Sequence, residues 1–327
     1  MQTLVEKINK LKKEKNAIIL AHCYQRLEID TVADFVGDSL GLSRQAANTD
    51  ADMIIFAGVY FMAQTAKILS PKKRVFLPNM KSGCQMADMI NLAQIKEFKA
   101  KHFGVPVVGY VNSTAEVKTE CDICCTSSNA VKIVKNLAAQ GVKKVLFVPD
   151  AYLGSWVAKN CPEIEVITYP GYCPTHLKIT PDDILKLCTE YPDAPVLAHP
   201  ECHGEVLKLA NFVGSTTQII ERVSWCDGGG GGEPSTASTT QATCDKVAQE
   251  QETFIIGTEI GVLERLQRDY PHKKFILASS KTVCPNMKHT TLEDILYVLE
   301  NAPVENEIFV DEKTRQKALL PIEKMVN

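Results

Sequence analysis

Short apolar runs alternate along the chain with longer stretches whose apolar residues recur at helical spacing. One order of elements occurs three times: an apolar strand, a helix-spaced stretch, a second apolar strand and a loop that ends in a single cysteine. The three copies are residues 54–84, 145–173 and 254–284. A repeat of whole supersecondary units predicts that the copies share one local fold.

A further apolar strand precedes each copy, and a loop and a helix start follow that strand. The leading strands are residues 17–24, 106–113 and 195–202, and the helix starts are 34–47, 122–141 and 211–223. Apolar strands that alternate with helices are typical of parallel sheets covered on both faces. We therefore predict an α/β fold: three similar three-layer α/β/α domains with parallel sheets around a pseudo-threefold axis.

The repeat sets approximate domain boundaries at 1–100, 101–190 and 191–327. The third domain is longer because it holds residues 225–251, which include an unbroken glycine run and many Ser, Thr and Gln residues. This composition predicts a flexible insertion, natural or engineered. It joins a helix to a strand, at the sheet edge opposite the one where ligands of parallel α/β units bind.

Composition narrows the classes of function. The chain has 327 residues, is 45% hydrophobic and 23% charged, and carries a net charge of −3. These values predict a soluble globular protein and give no argument for nucleic-acid binding. The N-terminus is typical of an amphipathic helix rather than a signal peptide, and no apolar run is long enough to cross a membrane, so we expect a cytoplasmic protein with reduced cysteines.

Three of the twelve cysteines, Cys84, Cys173 and Cys284, hold the same place at the end of each copy. If the three units pack around one axis, their thiols converge, and three thiolates suit a metal or iron–sulfur centre with one open ligand position. The alternative is that each is a small buried side chain. A further group, Cys121, Cys124 and Cys125, contains a CxxC spacing, but it lacks a partner motif and favours a structural role.

Polar pairs end the three leading strands: His22 with Tyr24, Tyr110 with Asn112, and His199 with Glu201. A spacing of two places both members of a pair on the same face of an extended strand. One buried, hydrogen-bonded pair would need no function, but three pairs at equivalent positions predict a shared site with groups suited to acid–base chemistry.

Hydroxyl groups mark the helix starts that follow these strands, in residues 37–39, 125–128 and 214–216. Each is explained by ordinary N-capping. In triplicate, they predict binding of a substrate that carries several anionic groups, because helix N-termini favour phosphate and carboxylate.

Nine short motifs together give the chain a likeness to a known family. In order, they are AHCYQ, VGDSLGLS, GCQMADM, VVGYVNSTAEVK, GYCPTH, LAHPEC, VGST, IIGTE and CPNMK. In this order and spacing they resemble the quinolinate synthase family, from about residue 17 to about residue 300 apart from 225–251.

The resemblance implies three α/β/α domains around a central cavity and a [4Fe-4S] cluster held by Cys84, Cys173 and Cys284, with the fourth iron open to substrate. It implies condensation of iminoaspartate with dihydroxyacetone phosphate to quinolinate, with loss of phosphate and two waters, in de novo NAD biosynthesis. The cluster would act as a Lewis acid. The resemblance also implies a functional link to L-aspartate oxidase, and it implies no nucleic-acid or membrane partner.

The family's functional positions carry over where the motifs match. Glu201 is expected to be the base for triose isomerisation and enolisation, while Tyr24 and Tyr110 donate hydrogen bonds to the intermediate. His22 and His199 are expected to orient substrate or shuttle protons. The expected substrate-binding residues are Ser39, Asn112, Ser127, His176, Ser215 and Thr216.

Other interpretations stay open. An aconitase-like hydro-lyase also uses a cluster with three cysteine ligands and an open iron. An iron–sulfur sensor would not need the three polar pairs, and a structural zinc site normally has four protein ligands. Some family members carry extra cysteines shortly before the last ligand that form a regulatory disulfide; the sequence SSKTVC has none, so that control is not predicted.

Overall fold

The computed structural model describes residues 3–226 and 251–327, and these form three four-stranded sheets. Every pairing within a sheet is parallel, and each sheet has the same strand order: second, first, third, fourth. Helices connect the strands, as parallel pairing requires. The predicted α/β class with three parallel sheets is thereby confirmed.

The bounds of the strands follow chain order. The first sheet contains β1 (Ala17–His22), β2 (Phe35–Gly37), β3 (Met53–Ala57) and β4 (Arg74–Phe76). The second contains β5 (Val107–Tyr110), β6 (Ile123–Cys125), β7 (Lys144–Val148) and β8 (Glu165–Thr168). The third contains β9 (Val196–Ala198), β10 (Phe212–Val213), β11 (Thr253–Gly257) and β12 (Lys274–Leu277).

An α-helix lies between each two successive strands except β1 and β2, which a 3-10 turn, Leu27–Thr31, joins. The helices up to the middle of the chain are α1 (Leu4–Glu14), α2 (Ser39–Asn48), α3 (Tyr60–Leu69), α4 (Leu92–Lys101), α5 (Ala115–Lys118), α6 (Ala130–Ala139) and α7 (Ala151–Asn160). The others are α8 (Pro181–Glu190), α9 (Gly204–Leu209), α10 (Thr216–Cys226), α11 (Ile260–Asp269), α12 (Leu292–Asn301) and α13 (Glu312–Val326). No helix of the described ranges combines the length and the apolar composition of a membrane span.

One hydrogen bond recurs at the start of all three sheets. A side-chain oxygen accepts from the backbone N–H near the start of the first strand, 15 residues earlier in the chain each time. The donor and acceptor pairs are Ile19 with Asp34 at 2.8 Å, Val107 with Asp122 at 2.7 Å, and Val196 with Asn211 at 2.8 Å. The bond connects the residue before the second strand of each sheet to the first strand, so the three repeats share this individual hydrogen bond as well as the order of their elements.

The described chain divides into two compact units. The first comprises Met1–Pro174 and Cys284–Asn327 and holds the first two sheets, and the second comprises Thr175–Val283 and holds the third. In the first unit, Ile295 and Leu299 of α12 join Ile8 of α1 and Ile19 of β1 in one buried apolar cluster. The residues after Cys284 therefore complete the core beneath the first sheet. The domain boundaries at 100 and 190, and the pseudo-threefold axis, stay predictions.

The C-terminal helix α13 also belongs to the first unit. It packs against β6, α5 and α3. Lys324 Nζ donates to Asp122 O at 2.8 Å, and Asn129 Nδ2 donates to Met325 O at 3.1 Å. Of the predicted insertion 225–251, residues 227–250 lie outside the described part of the chain, as does Cys244.

Candidate functional site

The ends of β9, β10 and β11 lie side by side at one edge of the third sheet. Ala198 is the register partner of Gly257, and His199 N donates to Gly257 O at 3.0 Å. Gly214 N donates to Ala198 O at 3.1 Å. The residues that follow these three strands are therefore held next to one another at the carboxyl edge, where parallel α/β units bind ligands.

His176 and Glu201 form a close buried pair in the second unit. His176 Nδ1 lies 2.7 Å from Glu201 Oε2, and the side chains are 1% and 5% exposed. His176 begins a 3-10 turn, His176–Lys178, and Glu201 follows β9 in a turn in which Cys202 N donates to His199 O. A carboxylate and an imidazole at this distance form a charge-assisted hydrogen bond, which is stronger than one between neutral groups.

His199 covers one face of this pair. Its ring stacks on the His176 ring with centroids 4.7 Å apart and an interplanar angle of 24°. His199 Nδ1 accepts from Glu201 N at 3.3 Å and lies 3.9 Å from Glu201 Oε2. Burial lowers the pKa of His199 from 6.5 to about 3; the Glu201 carboxylate raises it and His176 lowers it further. Because burial dominates, His199 is neutral at neutral pH.

A fourth side chain, Thr258, completes the cluster and was not among the residues chosen from sequence. Its Oγ1 lies 3.0 Å from His176 Nε2, and the residue is fully buried. Thr258 directly follows β11, in the motif IIGTE. The feature that could have identified Thr258 is its position directly after β11. That strand pairs with β9, and His199 directly follows β9.

Ser215 and Thr216 occupy the same edge of the third sheet, after β10. Ser215 Oγ accepts from Gln218 N at 3.3 Å, and Thr216 is the first residue of α10. Both residues are buried. Ser215 thus acts as an N-cap, as the capping interpretation predicts, and the helix N-terminus that it caps favours anions.

The first sheet carries His22, Tyr24 and Ser39 at its carboxyl edge. The His22 and Tyr24 rings meet edge to face with centroids 4.6 Å apart, and Tyr24 N donates to His22 Nδ1 at 3.0 Å. Lys288 Nζ donates to Tyr24 O at 2.7 Å and so fixes the turn. Ser39 begins α2, while the neighbouring Asp38 is the N-cap and accepts from Gly41 N at 3.0 Å.

The second sheet carries Tyr110, Asn112 and Ser127 at the equivalent edge. Tyr110 is the last residue of β5, and Ser113 Oγ donates to its carbonyl at 3.0 Å. Asn112 Oδ1 is buried and has no hydrogen-bond partner among the residues that the structure describes, a position that favours a ligand with a donor group. Ser127 lies in the turn before α6, which begins at Ala130, so it is not itself a helix-terminal residue.

The two members of a polar pair lie close together for a reason that differs from the one predicted from the sequence. β1 ends at His22 and β9 ends at Ala198, so Tyr24 and Glu201 lie in turns rather than on extended strand. The pairs stay close because each histidine ring accepts the backbone N–H two residues later. The shared face expected from strand geometry is therefore wrong as the reason for the proximity of these two pairs.

The three repeat cysteines, Cys84, Cys173 and Cys284, are half-buried thiols of the first unit, and none forms a disulfide. Each is held on a loop by the same contact: the carbonyl two residues earlier accepts the N–H of the first residue of a repeat helix. The pairs are Tyr60 N to Ser82 O at 2.8 Å, Ala151 N to Gly171 O at 2.8 Å, and Ile260 N to Thr282 O at 3.0 Å. Partly exposed thiols on fixed loops are compatible with ligation of a cluster.

Cys121 and Cys124 lie beside a buried lysine in the first unit. Lys118 Nζ donates to Ser113 O, and burial lowers the pKa of Lys118 to about 8, while the nearby thiols, including Cys84, raise it. A hydrogen bond with Cys121 lowers the pKa of Cys124; burial opposes this effect and Lys118 adds to it. The CxxC group is thus a buried, internally paired cluster, and its structural role stays a prediction.

Comparison with known proteins places these residues in a family context. The family model described as quinolinate synthetase A protein matches residues 6–228 and 233–327. The two ranges are separated only by 229–232, within the glycine run, so most of 225–251 falls inside the match.

Curated relatives agree with the family model. The chain is 47% identical over 328 residues to the quinolinate synthase of Sulfurihydrogenibium sp. (strain YO3AOP1), covering 99% of this chain and 97% of the relative. It is 48% identical over 325 residues to that of Dehalococcoides mccartyi (strain ATCC BAA-2266 / KCTC 15142 / 195), covering 99% and 98%. The quinolinate synthase of Aquifex aeolicus (strain VF5) is 43% identical over 331 residues, covering 100% and 94%. The chain therefore belongs to the quinolinate synthetase A protein family.

Proposed function

We propose that this chain is a quinolinate synthase that joins iminoaspartate to dihydroxyacetone phosphate in de novo NAD biosynthesis. One molecule of each substrate gives one quinolinate, one phosphate and two waters, so atoms balance without net oxidation or reduction. The observation that carries the proposal is the buried cluster of His176, His199 and Glu201, which supplies acid–base groups in a chain of this family.

Cys84, Cys173 and Cys284 would hold a [4Fe-4S] cluster. Three thiols suit such a cluster better than structural zinc, which normally takes four protein ligands. Lys118 interacts electrostatically with the Cys84 thiol, and a lysine beside a thiol is a setting that favours metal-binding thiolates. When bound, the cluster supplies Lewis-acid polarisation of a substrate oxygen through its open iron.

Glu201 is the proposed base. Triose isomerisation and enolisation both begin with removal of a proton from a carbon next to a carbonyl group, and a carboxylate shielded from water performs this step well. Glu201 is 3% exposed. His176 Nδ1, 2.7 Å from Glu201 Oε2, is close enough to exchange a proton with the carboxylate between steps.

His199 has a different proposed role. Because burial lowers the pKa of His199 to about 3, the ring is neutral at working pH and adds no positive charge beside Glu201. Its ring covers His176, and its Nδ1 accepts the N–H of Glu201. We therefore assign His199 to orientation of these two groups, and His22 to the corresponding orientation of Tyr24, whose N–H it accepts.

The remaining assignments concern substrate binding. Tyr24 and Tyr110 would donate hydrogen bonds to the intermediate, and Asn112 would contact a substrate donor through its Oδ1. Carboxylate and phosphate groups would be held by Ser39, Ser127, Ser215 and Thr216, which start or precede α2, α6 and α10.

The substrates set the cellular context. Iminoaspartate is an oxidised form of aspartate, so an enzyme that oxidises L-aspartate must supply it, and L-aspartate oxidase is the proposed functional partner. We place the reaction in the cytoplasm, where thiol ligands stay reduced. Within the chain, we propose three domains, 1–100, 101–190 and 191–327, with one ligand cysteine each.

The test is direct synthesis. Anaerobically prepared protein is incubated with iminoaspartate and dihydroxyacetone phosphate, and quinolinate and phosphate are measured. The proposal requires equal amounts of the two products. Dehydration of a hydroxy acid without any need for the triose phosphate would instead indicate a hydro-lyase, and iron-loaded protein without turnover would indicate a sensor.

A further inference from the structure

Thr258 occupies a position where the three repeats differ. The last residue before each helix N-cap is Gly58 ahead of α3, Pro149 ahead of α7 and Thr258 ahead of α11. Glycine and proline occupy the equivalent position in the other two repeats, and neither has a side chain that can form a hydrogen bond. The fold therefore does not require a hydroxyl here, and Thr258 lies in the same compact unit as His176, His199 and Glu201.

The Thr258 hydroxyl completes the hydrogen bonding of the His176 ring. One ring nitrogen, Nδ1, lies 2.7 Å from Glu201 Oε2, and the other, Nε2, lies 3.0 Å from Thr258 Oγ1. Two bonds at opposite sides fix the rotation of the ring within its plane, and the stacked His199 ring limits its tilt. Without the hydroxyl, Nε2 would be a buried polar atom that has lost this partner.

A hydroxyl group can both donate and accept a hydrogen bond, so it suits a histidine that exchanges protons. When Glu201 is ionised it accepts only, so His176 Nδ1 carries the proton that is shared with it, and a neutral ring then has an acceptor at Nε2. Thr258 O–H donates to that acceptor. If His176 becomes protonated at both nitrogens, the same hydroxyl rotates and accepts, so the ring keeps its position in both states.

We propose that Thr258 is a positioning residue whose hydroxyl holds the His176 ring so that Nδ1 faces Glu201 throughout the proton exchange. This inference rests on the proposed function, in which Glu201 is the base. Thr258 acts through His176 and touches no reacting atom.

The test compares Thr258→Val, which keeps the shape but removes the hydroxyl, with Thr258→Ser, which keeps the hydroxyl. Thr65→Val is a matched control, because Thr65 is also buried and its Oγ1 also makes a hydrogen bond, to Phe61 O at 2.8 Å. We expect Thr258→Val to lower kcat about tenfold or more, since small displacements of catalytic groups slow reactions strongly. KM should stay within about twofold, and Thr258→Ser and Thr65→Val should retain kcat.

A second readout does not depend on turnover. In the full-length chain with nitrogen-15-labelled histidine, the His176 Nε2 resonance should show a hydrogen-bonded acceptor, move toward the non-bonded value in Thr258→Val, and return in Thr258→Ser. An unchanged Nε2 resonance with wild-type kcat in Thr258→Val would overturn the inference. Absence of quinolinate synthesis by the wild-type protein would instead refute the proposed function, so the two failures are distinguishable.

Discussion

His176 Nδ1 and Glu201 Oε2 lie 2.7 Å apart although the two residues belong to different local structures, a 3-10 turn and the turn after β9. Both side chains are almost fully buried. Buried polar groups are costly unless they are hydrogen-bonded, so the contact between these two side chains stabilises both of them in the interior.

Glu201→Gln should abolish most quinolinate formation while the protein stays folded and keeps its iron. Glutamine preserves the size of the side chain and its hydrogen bonding but cannot accept a proton as a base. Loss of a positioned general base commonly slows a reaction by about a hundredfold or more. Single-turnover quinolinate formation measures the effect, with iron content recorded on the same samples.

Glu205→Gln is the matched control, because Glu205 is exposed and pairs with Lys208 at 2.7 Å on the surface of α9. It should retain turnover. Equal activity of Glu201→Gln and Glu205→Gln would remove Glu201 from the mechanism.

Three single variants, Cys84→Ala, Cys173→Ala and Cys284→Ala, are expected to lose the cluster. In each, bound iron should fall to a small fraction of the wild-type content and the visible absorption of the cluster should disappear. A cluster with three protein ligands does not tolerate loss of one ligand without replacement. Cys188→Ala is the control, since Cys188 is a half-buried thiol in α8 and lies outside the repeat. Any one of the three variants that kept full iron and turnover would lose its assignment as a ligand.

Acidification should destabilise the protein through His199. The pKa of His199 is lowered to about 3 in the folded state from an ordinary 6.5. Between these values the unfolded chain binds the extra proton, so the stability contribution is complete above pH 6.5 and is lost as pH falls toward 3. At about 1.4 kcal/mol per pKa unit, the contribution is at most about 5 kcal/mol.

His199→Asn should flatten this part of the stability curve, because the amide oxygen can still accept the Glu201 N–H but does not titrate. His203→Asn is the control: His203 is exposed, and its side chain caps α9, a role that asparagine also fills. Denaturant unfolding at pH 7, 6, 5 and 4 measures both variants. Identical pH slopes in wild type and His199→Asn would contradict the assignment.

Asn211→Ala should destabilise the third sheet by about 1 kcal/mol, because the backbone N–H of Val196 loses the acceptor of a part-buried hydrogen bond. Asn211→Asp should be nearly neutral, since aspartate makes the same bond at Asp34 and Asp122. Denaturant unfolding of both variants gives the comparison. Equal destabilisation by Ala and Asp would show that the side-chain oxygen is not the stabilising feature.

Much of the fold could be predicted because the pattern repeats. The strand–helix–strand order in residues 54–84, 145–173 and 254–284 predicts β3 to β4, β7 to β8 and β11 to β12, and each is present. Parallel pairing follows from the helical connections. The hydrophobic pattern specifies these elements directly, so a single sequence is enough to find them.

The candidate site was less predictable, since it depends on contacts between distant residues. The pattern of apolar strands marks polar residues at or just after strand ends, but the proximity within each pair comes from turns that this pattern does not specify; these residues are His22, Tyr24, His199 and Glu201. Thr258 resembles an ordinary residue before a helix. The register of β9 and β11 places it beside His199, and its contact with His176 is seen only in the folded structure.

Condensation of iminoaspartate with dihydroxyacetone phosphate by this chain can be measured through the stoichiometry of its products. Anaerobic, iron-loaded protein should release quinolinate and inorganic phosphate in a ratio of one to one, with both lost in Glu201→Gln. Iron-loaded wild-type protein that releases no quinolinate from these two substrates would contradict the account.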